Sequence, residues 1–322
     1  MHRWFRKINR KCVQEVSRRQ MFVIFGITVI LFWVFGLFDK LSEKSFDEFS
    51  WPRKFNQNQL TSKFTQFPKC KFKSEKTTKL MIIIKSSAKN GQMRDSVRKT
   101  WGVYKKVENV EVMPIFVVGH VENLEVGRKI DREAAKFEDV LAISAIDSYR
   151  NNTFKLFAAI DYGYEPHDCT SPDFLFLVDD DYMVHIPNLI NFTKSKRKND
   201  LIYEGFVFDT SPFRMKIHKH SISLDEYPFS RYPPYVSAGA VFISSETAKR
   251  FKNTMRTLKM FPFDDVFTAI LAKTLKIPAI HNENFVFWNR HVDRKEWEEE
   301  GVIAVHGFAR NDLELEYNQI FG

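Results

Sequence analysis

The sequence has few cysteines and lacks the motifs of several large enzyme classes. Only three of its 322 residues are cysteine, which excludes a small fold held together by many disulfides. It contains no phosphate-binding P-loop, no Gly-x-Ser-x-Gly nucleophile elbow and no Cys-x-x-Cys pair. It also has no internal repeat or low-complexity tract. With 44% hydrophobic and 28% charged residues, the chain is an ordinary globular protein rather than a collagenous, coiled-coil or wholly disordered one.

Positive charge is concentrated at one end of the chain. The formal net charge is +9, and residues 1–20 hold seven basic residues against one acid, a local charge of +6. The remainder is therefore near +3 and has no sustained basic stripe. No nucleic-acid partner is expected.

An uncharged apolar run follows the basic arm. Residues 21–38 read MFVIFGITVILFWVFGLF, and a helix of that length spans about 27 Å, the thickness of a thin bilayer. A signal peptide is disfavoured because no small-residue cleavage site follows, and a buried core helix because the apolar run is uninterrupted. The run predicts a transmembrane signal-anchor. The basic flank stays cytosolic, so residues after 38 would face a lumen or the outside, which is a single-pass type II orientation.

Four parts are predicted along the chain: a cytosolic basic arm (1–20), a transmembrane anchor (21–38), a polar luminal stem (39–78) and a luminal globular domain (79–322). In the luminal part, Asn151 and Asn191 begin candidate N-glycosylation sequons. Cys70 and Cys169 can form at most one disulfide on that side, and the sequence leaves open whether they do.

Strands and helices alternate in the luminal domain. The predicted strands cover 80–86, 110–119, 140–145, 174–178, 202–208, 239–244 and 302–306, and the predicted helices cover 92–101, 124–137, 152–162 and 265–276. This alternation predicts an α/β fold with an open, mostly parallel central sheet. Ligands of such sheets bind at the carboxyl ends of the strands, so we expect the site at the loops after Ser86 and Val178.

Three consecutive carboxylates follow one of the predicted strands. Side chains alternate along an extended chain, so Asp179 and Asp181 point one way and Asp180 the other. Neighbouring carboxylates repel one another unless a cation lies between them, and a divalent ion with oxygen ligands keeps places for substrate phosphates. The pattern predicts a cation site, with a solvated acidic turn as the alternative.

Other residues are candidates for the same site. Arg94 and Arg98 lie four apart on a predicted helix and suit phosphate, although a solvated basic face explains them equally well. Asp265 opens a helix, where it is either an N-cap or a general base. Gly239 would let a ligand approach the backbone. His306 ends a predicted strand, where a histidine is more often a structural residue than a ligand.

Taken in order, these segments resemble the β-1,3-galactosyltransferase family (glycosyltransferase family 31), which includes β-1,3-N-acetylglucosaminyltransferases. The resemblance covers residues 79–310. It is carried by RDSVRKTWG at 94–102, DSYRNNTFK at 147–155, the triplet at 179–181, YPPY and the following glycine at 232–239, and DDV at 264–266. The chain departs from the family pattern at Asn152, where a leucine is usual, and at Asp264, where a glutamate is usual.

That resemblance implies a GT-A-like nucleotide-sugar-binding fold, a UDP-sugar donor, Mn²⁺ and inversion at the anomeric carbon. It implies that Asp181 and His306 are metal ligands and that Asp265 is the base that deprotonates the acceptor's 3-hydroxyl. Residues implied to bind the donor are Arg94, Arg98, Lys155, Asp179, Asp180 and Gly239. Asn151 lies inside a family motif, so it can serve either the fold or a glycan.

The luminal domain is then expected to be catalytic and to lie in the Golgi. The expected reaction transfers galactose from UDP-galactose to the 3-hydroxyl of a glycan on a glycolipid or glycoprotein. Transfer of N-acetylglucosamine or N-acetylgalactosamine is the alternative within the family. Outside it, the alternatives are a membrane-anchored glycan-binding protein without turnover and a metal-dependent phosphohydrolase.

Overall fold

The computed structural model describes residues 18–54, 64–74, 76–309 and 312–322. Cys12 and nearly all of the predicted cytosolic arm lie outside the described residues. The chain divides into two compact units. The smaller one consists of the residues up to Phe49 together with Ser211–Arg231, and the larger one consists of Ser50–Thr210 and Tyr232–Gly322.

The smaller unit contains two helices, α1 (Arg18–Val34) and α2 (Leu37–Leu41), and a buried arginine. Arg214 donates from Nε to Glu43 Oε1 at 2.9 Å. Its terminal nitrogens donate to the backbone carbonyls of Ile222, Tyr227 and Phe229. Since both ends of the guanidinium find acceptors, its burial is compensated and the side chain ties this unit together.

The predicted membrane segment, 21–38, is not one continuous helix. Helix α1 ends at Val34, and Gly36 takes a left-handed conformation (φ 72°) that separates it from α2. A side chain at Gly36 would meet the carbonyl oxygen of Arg214 at 2.3 Å, so only glycine fits there. The predicted helix boundary at Phe38 is therefore wrong. In the part of the chain that the structure describes, no helix combines the length and apolarity needed to cross a bilayer.

The larger unit is built on a mixed nine-stranded sheet. The strands of the chain are β1 (Phe64–Gln66), β2 (Thr78–Lys85), β3 (Lys106–Val107), β4 (Val110–His120), β5 (Val140–Ile146), β6 (Phe174–Asp179), β7 (Tyr182–Val184), β8 (Tyr203–Phe208), β9 (Tyr235–Ser244), β10 (Ile280–His281), β11 (Phe285–Val286) and β12 (Ala304–His306). The sheet order is β1-β5-β4-β2-β6-β9-β8-β10, with β3 beside β4.

Strands β5, β4, β2 and β6 run parallel, whereas β9 is antiparallel to both β6 and β8. The α/β class is confirmed, but the sheet is mixed rather than mostly parallel.

Helices cover both faces of the parallel strands. They are α3 (Gly91–Lys99), α4 (Leu124–Phe137), α5 (Asn152–Tyr164), α6 (Ile186–Lys194), α7 (Ser245–Met255), α8 (Asp264–Leu275), α9 (Arg294–Glu299) and α10 (Asp312–Phe321). Strand β2 is buried from Leu80 to Ile84, as expected for a strand covered on both faces. Its even-numbered residues pack in one core with Trp101 of the segment after α3. On the other face, Gly163 of α5 approaches Ile83 closely.

A second, three-stranded sheet places a late residue beside an early one. Its order is β11-β12-β7, and β12 runs antiparallel to β7 with His306 opposite Tyr182. The backbone N–H groups of Gly307 and Phe308 both donate to the carbonyl of Asp181. This pairing brings the C-terminal strand to the acidic end of β6.

The predicted stem contributes to the larger unit. Strand β1 pairs antiparallel with β5, and the indole N–H of Trp51 donates to the carbonyl of Lys259 at 2.6 Å. Cys70 and Cys169 form a disulfide, which joins this segment to the loop before β6. Polar composition did not reveal these contacts, because each depends on a partner distant in sequence.

The two candidate sequons differ in surroundings. Thr153, the third residue of the Asn151 sequon, is buried and donates to the carbonyl of Phe261 at 2.7 Å. Asn151 itself donates to the carbonyl of Ile146 at 3.0 Å. In the second sequon, Asn191 is exposed on α6. The first sequon thus forms part of the fold, whereas the second offers an accessible amide.

Candidate active site

A polar cleft of about 460 Å³ lies at the carboxyl ends of the two central parallel strands. Its lining includes Lys85 at the end of β2 with Ser86 after it, Lys155 of α5, and the triplet at 179–181 that begins at the last residue of β6. This is the edge at which α/β sheets bind ligands, and it is where the sequence placed the site.

The three aspartates of the triplet have different partners. Asp179 lies 3.1 Å from the Lys85 ammonium. The Asp180 carboxylate accepts hydrogen bonds from Ser86 Oγ at 2.6 Å and from Asn90 Nδ2 at 3.1 Å. Asp180 is therefore buried against the loop after β2, and that burial raises its pKa. Asp181 stays partly open to the solvent.

Lys85 joins the triplet to the start of α8. Its Nζ lies 2.6 Å from Asp264 Oδ2 as well as 3.1 Å from Asp179 Oδ1, so one buried cation bridges two carboxylates. Burial disfavours the charged amine, but the two carboxylates outweigh that cost, and the pKa of Lys85 lies above its usual value. Burial raises the pKa of Asp179 to about 6 although Lys85 opposes the shift.

Lys85 was not among the site residues predicted from the sequence. The signal that could have identified it is the single charged residue at the end of the apolar run Leu80–Ile84.

Asp181 and His306 contact each other directly. Their Oδ2 and Nε2 atoms are 3.2 Å apart, and this hydrogen bond raises the pKa of His306. The His306 ring also stacks on Phe287. Asp181 Oδ1 is buried and has no hydrogen-bond partner in the described part of the chain.

An unpartnered carboxylate oxygen beside an imidazole nitrogen fits a divalent cation. Among the described residues, no three His, Cys, Asp or Glu side chains cluster as a ligand set. The pair would therefore hold a cation whose other ligands come from substrate and water.

Asp265 lies in the first turn of α8, near enough to Tyr149, which lines the cleft, for its charge to help raise the Tyr149 pKa after burial. The N-cap is Phe263, so the N-cap interpretation of the aspartates does not hold. Asp264 pairs with Lys85, whereas Asp265 Oδ1 accepts only the N–H of Val266 among the described hydrogen bonds. Burial and the negative charge of Asp264 raise the pKa of Asp265 to about 7. A carboxylate with such a pKa suits proton abstraction near neutral pH.

Lys155 lies in the floor of the cleft. Its ammonium is 2.6 Å from Asp147 Oδ1 and donates to the carbonyl of Ser86 at 2.9 Å. Asp147 also accepts the N–H of Ala88 at 2.6 Å. The pair thus fixes the loop after β2, and the donor-binding role of Lys155 stays a prediction.

The two arginines hold the scaffold instead of facing the cleft. Arg94 is only 1% exposed and forms a bidentate ion pair with Glu133, while its NH1 donates to Ser86 Oγ and the Ser87 carbonyl. Arg98 pairs with Glu133 and Asp139 and lines a separate pocket of about 260 Å³. Arg94 therefore positions the loop, and its guanidinium and that of Arg98 are engaged by acids of the protein.

Gly239 makes a close contact, but with a protein side chain. A Cβ at this position would lie 2.3 Å from Tyr182 Oη. The Tyr182 ring in turn packs 5.0 Å from the His306 ring, measured between centroids. The glycine thus makes room for Tyr182 beside the Asp181–His306 pair rather than for a ligand at its own backbone.

The family profile and the similar proteins found by comparison agree on one family. The galactosyltransferase family profile matches residues 92–283. The chain is 64% identical over 316 residues to beta-1,3-galactosyltransferase bre-5 of Caenorhabditis elegans, covering 98% of both proteins. It is 32% identical to beta-1,3-galactosyltransferase brn of Drosophila melanogaster, covering 73% of this chain and 72% of that one. It is 26% identical to UDP-GalNAc:beta-1,3-N-acetylgalactosaminyltransferase 1 of Mus musculus, with 73% and 72% covered.

Among solved structures, the galactosyltransferase LgtC superposes with a TM-score of 0.38 at 11% identity, covering 74% of this chain and 93% of that one. A similarity at that level carries no argument about the site.

Replacing Lys85 tests the buried bridge. Lys85→Met leaves the Asp264 and Asp179 carboxylates without their shared cation, so we expect unfolding to become easier by about 3–5 kcal/mol. The matched control is Lys79→Met on the same strand. Lys79 is equally buried (5% against 7% exposed), yet among the described residues its ammonium donates only to the carbonyl of Thr77, at 3.5 Å. Urea unfolding of both variants in one detergent measures the difference, and equal losses would contradict the bridge.

Proposed function

This chain belongs to the galactosyltransferase family of hexosyltransferases, and we propose that it transfers galactose from UDP-galactose, with inversion, to the 3-hydroxyl of a glycan on a glycolipid or glycoprotein. One observation carries the proposal. The acidic end of β6 and the first turn of α8 meet at one sheet edge, where Lys85 bridges Asp179 and Asp264. Asp265 is a carboxylate suited to proton abstraction, and the Asp181–His306 pair suits a cation. Both therefore belong to one edge, as a GT-A-like inverting transferase requires.

Asp265 is the proposed base. It takes the proton of the acceptor's 3-hydroxyl as that oxygen attacks C1 of the galactose. The C1–oxygen bond to UDP breaks, the electron pair leaves with UDP, and the α-linked donor gives a β-1,3-linked product. One carboxylate is sufficient for this displacement, because no covalent intermediate with the protein forms. The first turn of α8 favours the anionic form of Asp265 through the helix dipole.

Asp181 and His306 would hold a Mn²⁺ ion. When bound, such a cation neutralises charge that develops on the departing diphosphate. The remaining residues of the edge keep the pair in place. Tyr182 packs beside His306, and the Asp181 carbonyl accepts the N–H groups of Gly307 and Phe308. In the cleft itself, Asp180 and Lys155 order the loop after β2.

We also propose that the larger unit lies in the Golgi lumen, with α1 as part of a type II membrane anchor. The Cys70–Cys169 disulfide supports this, because disulfides persist in oxidising compartments. The apolar side chains of α1, such as Phe22 and Phe25, are exposed and suit lipid contact. In intact microsomes, protease should spare the larger unit until detergent is added. Cleavage of that unit without detergent would contradict the luminal assignment.

Neutralising the base tests the reaction directly. Asp265→Asn should lower kcat by a factor of about 10³ or more, while UDP binding is retained, because the base is lost and the donor contacts stay. The neighbouring Asp264→Asn is the comparison. It weakens the pair with Lys85, so it should lower thermal stability more than Asp265→Asn does.

The assay for that experiment offers UDP-galactose, UDP-GlcNAc and UDP-GalNAc with Mn²⁺ to β-linked hexosides, and reads products by mass spectrometry. Normal turnover by Asp265→Asn would remove Asp265 from its role. Transfer of an N-acetylhexosamine by the wild type, without galactose transfer, would replace the proposed donor.

The pKa of Asp265 predicts a pH profile. The base must be ionised, and its pKa is raised to about 7, so kcat/KM should rise with pH through about 7 and level off above it. An initial-rate series from pH 5.5 to 8.5 at constant ionic strength measures the profile. A flat acidic limb down to pH 5.5 would show that no group with this pKa limits the reaction.

A further inference from the structure

Four aromatic side chains form a continuous group near the site that the reaction, as derived above, does not use. Phe206 and Phe208 lie two apart on β8, next to a register irregularity between Gly205 and Val207. Phe287 and Trp288 follow β11 directly. The ring centroids are 5.1 Å apart for Phe206 and Phe208, 4.8 Å for Phe208 and Phe287, and 5.4 Å for Phe206 and Trp288. We call these four residues the aromatic shelf.

The shelf is open to solvent. Trp288 is 54% exposed, and the other three rings are only half-buried. By contrast, Phe242 and Phe285, which belong to the neighbouring core, are fully buried. These large rings contact one another but remain exposed to solvent, so apolar surface is left in contact with water. Such a surface is typical of a ligand-binding site.

The position of the shelf links the two halves of the proposed reaction. At one end, the Phe287 ring lies parallel to the His306 ring, with centroids 5.8 Å apart. At the other end, Phe208 contacts Tyr235, with centroids 5.6 Å apart. The phenol of Tyr235 is close enough to Asp265 that the aspartate's charge, after burial, helps to raise the Tyr235 pKa. The shelf therefore extends from a proposed metal ligand to the neighbourhood of the proposed base.

An acceptor has to reach both places. Its 3-hydroxyl must contact Asp265, and its attacking oxygen must approach the donor carbon next to the cation. A pyranose ring suits such a surface, because one face carries only C–H groups that pack on the negative face of an aromatic ring. The hydroxyl edge of the sugar stays free for hydrogen bonds and for reaction.

We infer that the aromatic shelf is the acceptor subsite, in which the pyranose ring of a β-hexoside stacks on Trp288. This rests on the proposed function for the identity of the reaction, and it adds where the acceptor binds and which residue recognises it. The acyl part of a glycolipid and a second copy of the chain are the other occupants that such a surface could take.

The test is Trp288→Ala in the full-length chain. Loss of one stacking contact should raise the KM for the acceptor about tenfold, with the KM for the UDP-sugar unchanged. Trp288→Phe keeps an aromatic face and should restore most of the affinity. Phe67→Ala is the matched control, because Phe67 is similarly exposed (45%) and its ring contacts are Phe64, Tyr162 and His167.

The probes are the methyl and octyl β-glycosides of galactose, glucose, mannose and N-acetylglucosamine. Saturation-transfer NMR measures their binding independently of turnover. Loss of methyl glycoside binding in Trp288→Ala, and its retention in Phe67→Ala, supports the subsite even if the wild type transfers no sugar, an outcome that would contradict only the proposed function.

Three results would overturn the inference: an unchanged acceptor KM in Trp288→Ala, an effect limited to octyl glycosides, and a change in oligomeric state as the sole consequence of the substitution.

Discussion

The ion bridge at Lys85 is the interaction on which the rest of the site depends. Four carboxylates, Asp179, Asp180, Asp181 and Asp264, meet at one edge of the sheet, where like charges would push β6 and α8 apart. The Lys85 ammonium contacts two of them from the floor of the cleft, 2.6 Å from Asp264 and 3.1 Å from Asp179. Because this cation is covalently part of β2, it fixes the distance between the triplet and the helix that carries Asp265.

The remaining acids are handled in two different ways. Asp180 is stabilised by local hydrogen bonds from Ser86 and Asn90, and it is buried. Asp181 keeps one buried oxygen without a hydrogen-bond partner in the described residues. The protein thus supplies a permanent cation, Lys85, for one part of the edge, and in the proposed function a bound Mn²⁺ would serve the part at Asp181. Within the triplet, Asp179 and Asp180 are thus engaged by partners in the protein, whereas Asp181 keeps an oxygen without one among the described residues.

Much of the fold could be predicted, since the helices and central strands carry their periodicity in local sequence. The helix predicted at 124–137 is observed as Leu124–Phe137, and the strand predicted at 174–178 as Phe174–Asp179. Strand β1 could not be predicted, because its three residues, Phe64–Gln66, are too few to show a period and its pairing with β5 is long-range. The break at Gly36 was missed for a similar reason, since it depends on the approach of Arg214.

Long-range contacts also limited what the sequence could predict about the site. Alternation alone separated Asp180 from Asp179 and Asp181, but the contact between Asp181 and His306 was suggested only by family resemblance, because 125 residues separate them. The basic pair Arg94 and Arg98 suggested phosphate, whereas acids 35 to 41 residues away engage both side chains. A pattern can show which chemistry a residue offers. Which partner takes up that chemistry is decided by the tertiary structure.

Calorimetric titration of UDP tests the central claim most directly, by comparing the wild type with Asp181→Asn in Mn²⁺ and in EDTA. We expect the wild type to bind UDP in Mn²⁺ and to lose most of its affinity in EDTA. The variant should bind weakly in both. Equal affinity of the wild type in Mn²⁺ and in EDTA, or a variant indistinguishable from the wild type, would contradict a cation held at the acidic end of β6.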